Sequence, residues 1–278
     1  MSKKIILALL TLSIFIGISY YNASVINTKQ ISTKQETLKS NKIDEDIDGL
    51  LIAYFSDLYY GSFIDKEYID NLINTINKYQ PDVFIFGGDL IDSSYAQNIT
   101  QEDIDYLTNC FKSIKASKGK YAVLGEQDIQ TFNIVETIYS NSNIQVMRNS
   151  NNTISKDKNS FINIVGIDPL ISGNPDSASS FLGVDNNYYT IVISHCPDTF
   201  DEILNHDFDY MLSGHSLGGQ IYLPIISLFT RNEGCKKYYT GKITKNGKTL
   251  DITNGVGRIH NNARFLADSE IVLYRLDY

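Results

Sequence analysis

Tryptophan is absent from the 278 residues, proline occurs 5 times and histidine only 4 times. So few prolines, beside 18 glycines, exclude a collagenous or low-complexity chain. Cysteine is short as well: Cys110, Cys196 and Cys235 form no even framework and no CxxC pair, which argues against a disulfide scaffold or a zinc ribbon. Positive charge is outnumbered, 24 basic against 32 acidic residues, for a net charge of −8. A general nucleic-acid binder needs a basic field, so no nucleic-acid partner is expected. The four histidines, His195, His206, His215 and His260, cap any imidazole-rich site. What is plentiful is apolar bulk: 42% of the chain is hydrophobic, enough for one large domain with a sizeable core.

Lys3 and Lys4 precede an apolar run over residues 5–19 that has no polar face. Positive residues before such a run orient it with the N-terminus in the cytoplasm and the rest of the chain outside. Residues 1–21 are therefore expected to be a signal anchor in the cell membrane, or a signal peptide if residues 1–19 are cleaved and the protein secreted. Residues 22–48 carry Ser, Thr, Lys, Gln and Asn, then an acidic cluster, and read as an extracytoplasmic linker. The domain proper is expected over 49–278.

Apolar runs at 49–55, 82–86 and 120–124 alternate with helical patterns at 66–79, 101–115 and 129–139. That alternation predicts an α/β protein with parallel strands. Further strands are expected at 161–166, 190–194, 210–212 and 271–276. Each early run is followed at once by a polar cluster: SDLYYG from Ser56, GGDLID from Gly87 and GEQD from Gly125. HCPD from His195 and SGHSLGGQ from Ser213 come after two later strands in the same way. Ligands of α/β sheets bind outside the carboxyl ends of strands, so these clusters should converge. They offer Asp57, Asp89, Glu126, His195 and His215, a donor set suited to a divalent metal such as Mn, Fe or Zn.

These motifs, in this order, resemble the calcineurin-like metallophosphoesterases, and in particular the membrane-associated bacterial branch that hydrolyses phosphodiesters and pyrophosphates. The likeness extends from Leu51 to the C-terminus and includes RNSNNTI from Arg148 and ITNGVGRIHNNARFLADSE from Ile252. It implies a four-layer α/β/β/α sandwich. It also implies a degenerate site, because three family histidines are replaced: Tyr59 ends D-x-H, Gln127 stands in GNHD, and Leu217 ends GH-x-H. Asn is replaced by Glu126. Carried over residue by residue, one metal site keeps Asp89, Glu126, His195 and His215. The other keeps only Asp57 and the shared Asp89, so Asp57 is vestigial and a second metal is not expected.

Gln127, in place of the family histidine, can donate a hydrogen bond but cannot transfer a proton at neutral pH. Gln127 and its neighbour Asp128 are the residues expected to touch the chemistry, although Asp92 and Asp128 also suit the bracing of loop backbone. The function expected is binding or slow hydrolysis of a phosphoester, with a phosphorylated or anionic small molecule or envelope component as partner. A catalytically inactive, ligand-binding or structural family member is the alternative. Arg258 and Arg264 are expected at the surface in salt bridges, His206 in a surface loop, and Cys196 as a small buried side chain.

Overall fold

The computed structural model describes residues 2–156, 160–223, 227 and 231–278. Helix α1 (Lys3–Tyr21) is capped by the Ser2 side chain and buries none of its residues. It runs on as a π-helical turn (Asn22–Ile26), and the 24 residues Lys3–Ile26 are long and apolar enough to cross a membrane. At 1.5 Å per residue they span about 36 Å, against a hydrocarbon core of about 30 Å.

Residues 22–48 are not the expected linker. Strand β1 (Ser32–Lys39) pairs in parallel with the C-terminal strand β12 (Glu270–Asp277) over its whole length. Ile43 and Ile47 beyond it are buried in the core, so the domain begins well before Gly49. The reason the composition misleads is position: β1 lies at a sheet edge, where only Leu38 of its eight residues is buried. An edge strand needs few apolar side chains.

The first sheet has the order β1-β12-β2-β3-β4-β5, with β2 (Leu51–Phe55), β3 (Val83–Phe86), β4 (Gly119–Ala122) and β5 (Gln145–Val146) mutually parallel. Helices α2 (Lys66–Tyr79), α3 (Gln101–Ser113), α4 (Glu126–Gln130) and α5 (Phe132–Asn141) connect these strands. In β2 and β3, Ala53, Phe55, Phe84 and Phe86 pack in the cluster that includes the apolar faces of α2, α3 and α5. Their alternates Ile52, Tyr54, Val83 and Ile85 pack in the other direction. Two buried faces explain the unbroken apolar runs.

The second sheet runs β10-β11-β9-β8-β7-β6, from β6 (Ser150–Ser155), β7 (Phe161–Ile167), β8 (Tyr189–Ser194), β9 (Tyr210–Ser213), β10 (Gly241–Lys245) and β11 (Lys248–Ile252). Ile162, Ile164, Ile191 and Leu212 meet the first sheet in the shared cluster. The opposite face is covered more thinly, by Phe200, Phe208 and Tyr238 from loops and one-turn helices. The result is the expected sandwich, helices and loops outside two sheets. It brings the carboxyl ends of β2, β3, β8 and β9 to one edge.

Candidate metal centre

Asp57 comes after β2, Asp89 after β3, Glu126 opens α4 after β4, His195 comes after β8 and His215 after β9. The chain must turn sharply at these points: Asp57, Asp89 and His215 have φ of 60°, 60° and 67°. Left-handed backbone at non-glycine residues costs about 1 kcal/mol or more each and concentrates at functional sites. Gly88, itself at φ 96°, admits no side chain, since a Cβ there would stand 2.6 Å from Gly125 N and 2.9 Å from His195 Nδ1.

Ligand atoms of Asp89, Glu126, His195 and His215 all lie within 4.8 Å of one another. His195 Nε2 is 3.2 Å from both Asp89 Oδ2 and Glu126 Oε2, and His215 Nδ1 is 3.1 Å from Glu126 Oε1. Despite these approaches, Glu126 Oε2, His195 Nε2 and His215 Nδ1 are buried with no hydrogen bond of acceptable geometry among the described residues. Buried polar atoms are normally satisfied. Their companion ring nitrogens are satisfied: His195 Nδ1 donates to Gly87 O and His215 Nε2 to Glu233 O, each at 2.7 Å. A carbonyl only accepts, so in the neutral rings the opposite nitrogens present lone pairs to the centre, the arrangement of metal-ligating histidines. The donor set therefore fits a bound metal ion.

Electrostatics agree with that fit. Burial opposes the charge of Glu126, but the two imidazoles beside it outweigh this and hold its carboxyl well below the ordinary value. Burial likewise disfavours the charged form of His195, yet Asp89 and Glu126 raise it well above the ordinary imidazole value.

The expected vestigial donor, Asp57, is fully buried with both oxygens 3.1 Å from the donating His215 N–H. Its Oδ1 is 3.8 Å from His195 Nε2. Tyr59 donates its phenol to Asp89 Oδ2 at 2.8 Å, and burial followed by the nearby carboxylates pushes that phenol's pKa far up. Leu217 is buried in the adjoining pocket wall. Gln127 accepts through Oε1 from Ser93 N and Oγ, at 3.0 and 2.6 Å, which aims its amide nitrogen the other way. Asp128 is fully buried; it accepts from the backbone of Asp89, Leu90 and Gly125 at 2.7–2.9 Å and braces the β3 and β4 turns, the loop bracing for which its position suits it.

Two expectations are overturned by burial. Arg264 is fully buried, and its guanidinium donates to the carbonyls of Leu217, Asn254, Gly255, Gly257 and Ala267. Arg258, 5% exposed, donates to Thr28 O and Phe63 O. Among the described residues neither makes a salt bridge; each ties loops together, because clustered backbone carbonyls replace a carboxylate as acceptor. Cys196 is buried as expected, and His206 stacks on Phe181 at 4.3 Å near the surface. Sequence reasoning passed over Ser93, which orients Gln127, and His260, which lines the pocket. A serine just past GGDLID was the available signal for the first; His260 carried none.

A family model described as calcineurin-like phosphoesterase matches residues 50–219, and the chain belongs to that family. An uncharacterized metallophosphoesterase of Bacillus subtilis, YkuE, is 30% identical over 264 residues, covering 94% of this chain and 90% of the relative. The Escherichia coli phosphodiesterase YaeI is 26% identical, covering 75% of this chain and 76% of its own length. A zebrafish transmembrane protein with a metallophosphoesterase domain is 23% identical over 83% of this chain and 54% of its own.

Proposed function

We propose that this chain is a membrane-anchored, single-metal phosphoester-binding protein that turns over its ligand slowly on the extracytoplasmic face. One observation carries the reading: three buried, partnerless donor atoms, on Glu126, His195 and His215, converge with Asp89 on one point. Asp89, Glu126, His195 and His215 would hold the cation, which when bound would polarise a phosphoryl oxygen. A pocket of about 370 Å³ opens over them, lined by Gln127, Gln220, Asn232 and Tyr239 among others. That size suits a small phosphoester. Neutral amides there donate hydrogen bonds to an anionic head without competing for the cation.

Gln127 orients the phosphoryl group and holds no proton to give. His260, on the rim of the same pocket, is the imidazole available to protonate a leaving oxygen. With one metal in place of a two-metal clamp on the phosphoryl group, turnover is low. Lys3 and Lys4, at the start of α1 and ahead of its apolar run, support the outward orientation. The test is elemental analysis of the full chain beside turnover of a chromogenic phosphodiester. About one Mn, Fe or Zn per chain and slow, metal-dependent turnover are expected, lowered further by His260→Ala. Two tightly bound metals with rapid turnover, or none at all, would overturn the reading.

A further inference from the structure

We infer that a groove between α1 and the domain takes the hydrocarbon tail of an amphiphilic phosphoester, whose phosphate head reaches the pocket of the metal centre. This rests on the single-metal phosphoester reading and names its substrate class.

The groove has a volume of about 470 Å³, and its lining is mostly apolar: Phe15, Ile16, Tyr20 and Ala23 from the second half of the apolar span face Ile221 and Phe265 of the domain. Ile221 and Asn261 line both this groove and the metal-centre pocket, so the two spaces share a wall. Ile221 and Phe265 are themselves bridged as neighbouring extended segments, with Tyr222 N donating to Phe265 O at 2.8 Å.

The anchor is pinned at this place. Arg264 N donates to Ala23 O at 2.8 Å, Asn27 Nδ2 donates to Arg264 O at 3.1 Å, and Arg258 donates to Thr28 O at 2.6 Å. The same Arg264 holds Leu217 O, two residues from His215. The point where the anchor leaves the bilayer is therefore hydrogen-bonded to the loop that walls the metal centre.

The location of the groove decides its occupant. Its helix side belongs to a segment long and apolar enough to cross a membrane, so in a bilayer the groove would run from the hydrocarbon, at Phe15 and Ile16, towards the headgroups, at Ala23. Ile221, in the groove wall, is 38% exposed, and Leu266, next in the chain to Phe265 of that wall, is 65% exposed. Exposed apolar surface grouped this way marks contact with membrane or ligand. A lipid whose tail slides into the groove carries its phosphate to the polar pocket without the tail crossing water. A soluble phosphoester would leave the groove unused.

The test uses the full chain in dodecyl maltoside micelles, which carry no phosphate, and dodecyl phosphate bearing a diazirine in mid-chain. After irradiation, labelled peptides covering residues 15–24 and 261–265 are expected. Excess unlabelled dodecyl phosphate should reduce that labelling at least fivefold, and dodecanol much less. Ser19→Trp, which fills the groove and is remote from the metal donors, should cut labelling at least fivefold and leave metal content unchanged. Labelling spread along all of α1, equally displaced by dodecanol and indifferent to Ser19→Trp, overturns the inference. Competed groove labelling in a chain that binds no metal supports the tail site and sinks the metal reading. One metal per chain with turnover of a water-soluble phosphodiester, but no competed labelling, sinks the tail site alone.

Discussion

The phenol of Tyr59 and the carboxylate of Asp89 are hydrogen-bonded at 2.8 Å, and the oxygen they share, Oδ2, is the one 3.2 Å from His195 Nε2. A donor that keeps its proton thus sits where the family places a ligand, and it draws on the one carboxylate that both sites need. Tyr59 and Leu217 already have left-handed backbone, φ 51° and 54°. Histidine at both positions therefore adds no new backbone strain. Tyr59→His with Leu217→His should raise bound metal from about one per chain towards two, by elemental analysis. An unchanged stoichiometry would mean that Asp57 is no longer placed to ligate.

Metal uptake should weaken in acid. Burial disfavours charge on both rings, but Asp89 and Glu126 around His195, and Cys235 and Glu126 around His215, raise them above the ordinary imidazole value, so each ring holds its second proton more tightly than a free imidazole. A cation must displace those protons, so apparent affinity should fall about tenfold per pH unit for each proton released. Titration of the apoprotein with Mn or Zn between pH 8 and pH 5 checks this. A flat profile would count against His195 and His215 as ligands.

Asp57 should be a stability liability in the metal-free state. Burial pushes its carboxyl up to about 6, the pull of His195 opposing and the charge of Asp89 adding to the rise. Because the folded value lies above the ordinary 3.8, the folded state holds that proton more tightly than the unfolded chain. Its contribution is full below about pH 3.8 and is lost as pH rises through about 6. Asp57→Asn should therefore stabilise the metal-free protein by roughly 1–2 kcal/mol at neutral pH, shrinking towards zero near pH 4. Urea unfolding at the two pH values reads the difference. A loss of stability at neutral pH would show that the bonds from His215 N–H outweigh the buried charge.

Arg264 should be among the costliest residues to remove. Burial lowers its pKa to about 10, so it remains charged at neutral pH while serving five carbonyls. Arg264→Met should cost roughly 3–5 kcal/mol, since it strands buried acceptors. Thermal unfolding would reveal it; a loss below 1 kcal/mol would mean that water takes over those carbonyls.

Elements whose burial shows in their own residues were legible from the chain. Ile69, Leu72, Ile73 and Ile76 recur at helical spacing, and α2 ends at Tyr79 as that pattern predicts. The site was legible because each of its residues comes just after an apolar strand, and the sheet edge brings strand ends together. β1 was not, since its burial comes from β12, more than two hundred residues away. The same holds for Arg264, whose acceptors are backbone carbonyls that no side-chain pattern announces. The β10–β11 hairpin did leave a signal, Asn246-Gly247 at φ 53° and 75°, the preferred two-residue turn.

Because β1 is zipped to β12 through all eight residues, the domain is not hung from its apolar N-terminal helix on a cord. Five residues, 27–31, separate the end of the apolar span from the sheet. With that span in a bilayer, as proposed, the height of the metal centre above it would be a dimension of the fold. A protease that frees the body by cutting within 32–39 would tear out a strand of the sheet, so a shed, intact form requires a cut before Ser32.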